Sequence, residues 1–383
     1  MADGRCGTPA GARPASAEEN RRLRVTVAIC TRARPEQLRR ALESLGAQRV
    51  PPSEILVIDN APEVEETRDA IARTCSSARY VVEPILGLDF ARNRALTEAG
   101  GHIVAFLDDD AVASSSWVGS IRDVFERDPA VGVCTGRVEP LELRTAGQRL
   151  FEANGGYGRG TQRIRLPADA GRRLRAFRAP LIAWAVSVGN GTSLAVRRDY
   201  AQRLAGFDEA LDLGDVLPGG GDLDMMWRML QAGHALVYEP DALAWHEHRH
   251  AVSDAVAQIA GHQRALVAFL VKSIHQASGG RTRAEVFAFL CWRLLKPGAR
   301  LARRLTGHDP LPASALLRVW RECWAGLAAY GSARRTAVRR RTSAGTRVRR
   351  SAVPAAADLS TTERLNTEPG TGHREPGTRG VES

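Results

Sequence analysis

The sequence predicts an α/β protein: a Rossmann-like, mostly parallel central sheet with helices on both faces, followed by a helical C-terminal appendage. Short apolar, partly β-branched runs alternate with amphipathic helical stretches from Val25 to Leu107, and the links between them are short. Repeated βα units of this kind imply right-handed crossovers and a parallel sheet covered on both sides. The run Ile103–Leu107 ends abruptly in Asp108, Asp109 and Asp110, which delivers acids to the crevice where open α/β sheets bind ligands. From residue 251 onward the pattern turns helical and rich in arginine.

Val25 to Cys30 reads as a buried strand. Pro35 to Leu45 reads as a helix, with proline in its first turn and Leu38, Leu42 and Leu45 on one face. Glu54 to Ile58 is a second strand ending in Asp59 and Asn60, followed by a helix near Glu63 to Arg73. Arg79 to Val82 is a third strand, Leu88 to Ala99 a helix, Ile103 to Leu107 the fourth strand, and Trp117 to Arg127 a helix. Val131 to Val133 looks extended, and residues 152 to 180 are rich in Gly and Arg. Within them Gly155 to Gly160 follows no convincing strand and opens no obvious helix, so it reads as a mobile surface loop. Regular structure returns at Arg197 to Leu204, Asp222 to Ala232 and the strand Ala235 to Tyr238. The expected organisation is a disordered segment over 1–22, an α/β domain over 23–250, helices over 251–330 and a disordered Arg-rich tail over 331–383.

Hydrophobic residues make up 44% of the 383, enough for a large core. The net charge of +11 is uneven: residues 331 to 350 hold eight arginines and no acid, the mark of a solvated tail or of a contact to anionic lipid or nucleic acid. Six scattered cysteines show neither zinc-site nor disulfide-scaffold spacing, and no segment resembles a signal peptide or a bilayer span. These features point to a reducing cytosol.

Asp108 and Asp110, at i and i+2 on an extended segment, share one direction while Asp109 turns to the other. Crowded like charges need a cation or solvent; a solvated turn capping the next helix is the plainer alternative. The turn Thr31-Arg32-Ala33-Arg34-Pro35 lacks both the dinucleotide-binding glycines and the triphosphate-binding Gly-Lys-Ser/Thr. Asp59 at a strand tip can accept hydrogen bonds from a base or ribose, and Arg92 near a helix start is placed to meet an anion. In Gly219-Gly220-Gly221-Asp222-Leu223-Asp224, glycines permit close approach of a ligand, and Asp222 opens a helix that stabilises its ionised form. An ordinary N-cap is the rival reading of Asp222, and a salt-bridged helix arginine that of Arg228. The alternating His246, His248 and His250 share a face, and His246 is the nitrogen ligand best placed to join a metal held mainly by the aspartates, a polar surface strand being the plainer alternative.

Taken in order, Thr31 to Pro35, Val57 to Asn60, Gly87 to Arg94, Phe106 to Asp110, Gly189 to Arg198, Gly206-Phe207-Asp208, and Asp222-Leu223-Asp224 with Arg228 resemble the family 2 glycosyltransferases of the GT-A fold. The resemblance runs from about Val25 to Arg249. It implies that Asp108 and Asp110 hold Mn²⁺ or Mg²⁺ on the donor diphosphate, with Asp109 sharing the ribose and metal region. It maps nucleotide contacts to Thr31, Arg34, Asp59 and Arg92, adds Arg228 to the donor-binding set, and maps the catalytic base to Asp222. Gly221 stands where the family has Glu, so the role of that first acid is absent or passes to Asp224.

The implied reaction is inverting transfer of a sugar from a nucleotide-diphosphate donor, a UDP, dTDP or GDP sugar, to an acceptor hydroxyl. Residues 140 to 185 and 251 to 330 are expected to shape a glycan, lipid-linked or peptide-derived acceptor site, and a peripheral contact at the inner face of a membrane fits their arginines and apolar faces. A sugar-nucleotide pyrophosphorylase would need a Gly-rich loop after the first strand, which is missing. A nucleic-acid-binding or scaffold role through the tail would want interleaved aromatics, also missing.

Overall fold

A computed structural model describes residues 22–352 except 64, 168–178, 215, 278 and 306, with the backbone alone at 305 and 345–352. The expected N-terminal segment, save Arg22, and the tail beyond residue 352 lie outside the described residues. The chain parts into two compact units, residues 1–344 and 345–383, and of the second only the helical residues up to Ala352 are described.

Strands β1 (Val25–Thr31), β2 (Glu54–Asn60), β3 (Arg79–Glu83) and β4 (Ile103–Leu107) pair in parallel in the order β3-β2-β1-β4. Val27, Ala28, Ile29, Leu56, Val57 and Ile58 have no exposed surface, as strands flanked by helices on both faces require. Alternate residues serve opposite cores. Val25, Val27 and Ile29 pack with Leu38, Leu42 and Leu45 of α1 (Pro35–Gly46) and Trp117 and Ile121 of α4 (Trp117–Arg127). Ala28, Leu56 and Ile58 face Ala91, Ala95 and Leu96 of α3 (Leu88–Glu98). Helix α2 (Glu66–Thr74) starts three residues later than the sequence suggests and contributes Ile71.

Beyond β4 the sheet changes character. Strand β8 (Ser193–Arg197) inserts antiparallel between β4 and β6 (Val131–Pro140). Strand β9 (Ala235–His246) runs parallel to β6, and β5 (Ala111–Ala113) and β7 (Ile164–Leu166) pair with it antiparallel. Strand β9 is three times the expected length because it carries through Pro240, absorbed where the β6–β9 register shifts at Gly136/Arg137. Helices α5 (Ala146–Ala153), α6 (Leu181–Val188), α7 (Arg198–Arg203) and α8 (Gly221–Gln231) cover this half. A capping box between Thr145 and Gln148 opens α5.

The helices α9 (Val252–Gln276), α10 (Gly280–Leu305) and α11 (Ala313–Ala352) form the C-terminal region. Leu266, Phe269 and Leu270 of α9 enter the same core as α3 and α8, so the appendage shares its interior with the sheet domain. The buried Lys272 Nζ reaches Asp208 at 2.5 Å and Asp224 at 2.6 Å, and Tyr330 donates to Asp208 at 2.8 Å. The expectation of disorder from residue 331 is corrected: α11 continues to Ala352, with Ala333 and Ala337 buried against Leu211, Leu213 and Ala265. Its small residues supply a packing stripe that the surrounding arginines mask in the sequence; Arg340 donates to the Leu86 carbonyl and Arg341 pairs with Glu209. Among the described residues no helix is long and apolar enough to cross a membrane.

Candidate active site

The parallel strands end together. Thr31 is in register with Asp59 at the tips of β1 and β2, and Leu107 faces Ser193 at the tips of β4 and β8. One step further, Asp108 enters a cavity of about 600 Å³ whose wall also includes Arg92 of α3, Asn190, Gly191, Asp212 and Asp222 of α8. The acids from the sheet and from the distant glycine-rich turn therefore share one space, with Arg92 between them.

Asp110 and His246 join Asp108. Ala111 pairs with His246 across β5 and β9, which brings the imidazole Nε2 to 3.3 Å from Asp110 Oδ1. One ligand atom from each of Asp108, Asp110 and His246 lies within 4.8 Å of the others. Two carboxylates and an imidazole are a donor set that suits a divalent cation. Behind His246, its Nδ1 meets His248 Nδ1 at 2.9 Å, and His248 Nε2 meets Glu152 at 2.7 Å. With His248 Nε2–H donating to Glu152, its Nδ1 accepts from His246, which leaves the His246 Nε2 free to share a proton with Asp110 or, once deprotonated, to bind a cation. Burial disfavours charge on His246, but Asp110 and Asp108 outweigh it and raise its pKa. Burial alone would raise Asp110; His246 and Arg34 instead bring it down to about 2. Burial and Asp110 raise Asp108.

Several expected donor contacts are occupied by the protein itself. Asp109 is buried at 5% exposure and accepts from Thr31 Oγ1 at 2.8 Å and Arg34 Nη1 at 3.1 Å; Arg34 also reaches Asp110 at 3.2 Å. Thr31, Arg34 and Asp109 thus brace the acidic turn and lie outside the cavity wall. Burial and Asp110 push Asp109 up to about 6. Asp59 also lies off the wall; it accepts from Tyr80 Oη at 3.0 Å, and its fully buried Oδ1 has no partner. Arg228 is not brought to the cavity: its guanidinium is held by Asp224 at 2.7 Å and by the carbonyls of Leu204 and Gly206 at 2.6 and 2.7 Å. Its placement one helical turn after Asp224 on α8 matches the salt-bridged alternative read from the sequence.

Gly219 and Gly220 adopt φ of 142° and 100°, open to glycine, and lead into α8, whose first turn carries Asp222. Burial and Asp212 push Asp222 up to about 6, while Arg92 and the Leu223 amide favour its ionised form. Arg92 donates to Asp89 at 2.9 Å and to Asp212 at 3.3 Å. Asp212 also accepts from the Gly221 amide at 2.8 Å, tying the starts of α3 and α8 together, and its φ of 51° is strained for a residue with a side chain.

The first acid absent at Gly221 is not supplied by Asp224, which is buried on Lys272 and Arg228. A Cβ at Gly221 would stand 1.8 Å from Asp89 Oδ2, so the Asp89 carboxylate fills the space a side chain there would take. Burial and Asp212 raise Asp89 well above the carboxylate range, and its Oδ2 is buried without a partner. Asp89, Asp212, Tyr157 and His262 were not singled out in the sequence. Asp212 lies in an unpatterned loop, and the Gly155–Gly160 stretch read as surface loop instead lines the cavity through Gly155, Gly156, Tyr157 and Arg159. Tyr157 packs its ring edge on His246 at 5.0 Å, a contact across 89 residues that local pattern does not encode.

Residues 26–202 match the family model for glycosyl transferase family 2. The chain is 28% identical over 302 residues to a pre-mycofactocin glycosyltransferase of Mycobacterium tuberculosis, covering 77% of this chain and 57% of that protein. It is 29% identical to the succinoglycan biosynthesis protein ExoM of Rhizobium meliloti over 58% of this chain and 66% of that one. The chain thus spans less than two thirds of the length of these two relatives. A mannosyltransferase from Pyrobaculum calidifontis, solved with GDP-Man and Mn²⁺, has a similar fold: TM-score 0.52 at 20% identity, over 82% of this chain and 87% of that one. With its mostly parallel sheet, flanking helices and C-terminal helical region, the chain has the GT-A fold, and its residues 26–202 carry the match to glycosyl transferase family 2.

Proposed function

We propose that the protein transfers a hexose from a nucleotide-diphosphate sugar to an acceptor hydroxyl with inversion, with Asp222 as general base. The observation that carries this reading is the convergence of Asp108, Arg92 and Asp222 on one cavity. Asp222 takes the proton of the acceptor hydroxyl, the oxygen attacks the anomeric carbon from the face opposite the leaving group, and the anomeric C–O bond to the diphosphate breaks. The nucleoside diphosphate leaves with that electron pair, and the proton remains on Asp222. A side-chain pKa of about 6 suits a base that is ionised near neutrality and strong enough to accept a proton.

Asp108, Asp110 and His246 would hold Mn²⁺ or Mg²⁺, which when bound supplies charge neutralisation at the leaving diphosphate. Arg92, anchored by Asp89 and Asp212, keeps its charge despite burial and faces the same developing negative charge. Asp59, with one free carboxylate oxygen at the tip of β2, remains the candidate for the nucleoside of a UDP, dTDP or GDP sugar. Supporting the metal-dependent reading, the Pyrobaculum mannosyltransferase is a GT-A protein with GDP-Man and Mn²⁺. A glycan, lipid-linked or peptide-derived acceptor enters between α8 and the C-terminal helices, and contact with a membrane surface is part of the same proposal.

The test is Asp222→Asn. Nucleoside diphosphate affinity should stay within about twofold while transfer falls by about 100-fold to 10,000-fold, the range of general-base contributions. Retained turnover would reject the base role.

A further inference from the structure

Helix α10 buries Val286, Phe289 and Leu290 in the core, yet turns basic side chains toward the cavity as well. Phe287 and Leu295 project to solvent at 57% and 68% exposure, whereas Arg293, Lys296 and Arg300 line the cavity that holds Asp222. Arg300 is matched by a two-pronged pair with Asp309 at 2.7 and 2.8 Å. Neither Arg293 nor Lys296 pairs with a carboxylate among the described residues: Arg293 donates one nitrogen to Gln263, and its buried Nε has no partner. Lys296 Nζ stands 5.0 Å over the Trp292 ring and Arg293 Cζ 5.5 Å from it, and Trp292 stacks on Phe289 at 5.6 Å. Burial and the neighbouring arginines push Lys296 down to about 8, the strain expected of cations withdrawn from water without anions.

Acids stand on the sheet tip, the 212 turn and α8, with Arg92 held among them, while the α10 side of the wall carries Arg293, Lys296 and Arg300 beside the rings of Phe289 and Trp292 and, among the described residues, no acid. A multiply charged anion with an apolar extension satisfies the α10 side. Arginine and lysine together suit phosphate, and the rings give an apolar chain a surface.

We propose that the α10 wall binds the phosphate of an amphiphilic, phosphate-bearing acceptor, with its apolar portion against Phe289 and Trp292. This rests on the sugar-transfer reading and gives the acceptor a chemical class. Lys296 and Arg293 grip the phosphate, and the acceptor hydroxyl extends toward Asp222.

Isothermal titration of the full chain with decyl phosphate, below its micelle concentration and without divalent metal, tests it. Wild type should bind; Lys296→Met should bind about tenfold more weakly, and Lys296→Glu more weakly still, with melting temperatures no lower than that of wild type. Inorganic phosphate and glucose 6-phosphate should bind at least about tenfold more weakly than decyl phosphate, since they leave the rings uncovered. Equal affinity of Lys296→Glu and wild type overturns the site, and equal affinity of glucose 6-phosphate overturns its apolar half. Saturating nucleoside diphosphate with Mn²⁺ should leave decyl phosphate affinity unchanged; displacement would assign these cations to the donor and overturn the inference. Because the titration uses neither donor nor metal, failure of the transferase reading shows separately, as no metal-dependent binding of any nucleoside diphosphate.

Discussion

Asp222 makes the conflict between stability and chemistry visible in one side chain. Its pKa is raised to about 6, so the folded protein holds this proton more tightly than the unfolded chain does. The associated stability is present below the ordinary carboxylate pKa and is lost as pH rises through about 6. Catalysis has the opposite requirement, and kcat should fall as pH drops below about 6. Asp222→Asn should accordingly be inactive yet more stable at pH 8, by on the order of 2 kcal/mol in urea unfolding, because it removes a partly buried negative charge beside Asp212. A variant no more stable than wild type would contradict the raised pKa. Gly221 offers a second test. Gly221→Ala should cost about 1–3 kcal/mol by crowding Asp89. In an Asp89→Ser background the same substitution should cost less than about 0.5 kcal/mol, and equal costs in both backgrounds would remove Asp89 from that space. Sequence pattern marked Asp108 and Asp110 as candidates at the end of an apolar run, His246 among alternating histidines, and Asp222 after a run of glycines. It did not mark Asp89 or Asp212, whose contacts span the fold, and the family resemblance made Arg228 a donor contact where Asp224, four residues earlier, holds it.

Elements were legible where their period was local and their burial two-sided. The β1–β4 run and α1, α3 and α4 follow directly from apolar runs and helical spacing. Strands β7 and β8 were harder, since their partners lie far along the chain, and β9 was cut short at Pro240. Helix α9 is joined to α8 by the Lys272 bridge to Asp208 and Asp224. Lys272→Met leaves Asp224 buried with Arg228 alone and should lower stability by about 3–5 kcal/mol. A loss under about 1 kcal/mol in denaturant unfolding would mean that the bridge is replaced by solvent or by Arg228.

Across the whole molecule, the C-terminal helices complete the cavity that the sheet begins. The arginines of residues 331–344 read in sequence as a free tail, but the buried face of Ala333 and Ala337 and the contacts of Arg340 and Arg341 make this stretch part of the fold. Ending the chain after Tyr330 should lower stability by at least about 2 kcal/mol, from lost alanine burial and the lost ion pair, and an unchanged unfolding midpoint would restore the tail reading.

The central claim is that acids from β4 and α8 serve one nucleotide-sugar donor. Its most direct test is thermal unfolding of the full chain with UDP, dTDP or GDP, each with and without Mn²⁺. At about 100 times Kd, a ligand of the native state adds about 2.7 kcal/mol, a rise of several degrees. The account predicts that one nucleoside diphosphate gives that rise only with Mn²⁺, that Asp110→Asn abolishes it, and that Asp222→Asn retains it. A rise that ignores both the metal and Asp110, or no rise with any of the three, would contradict it.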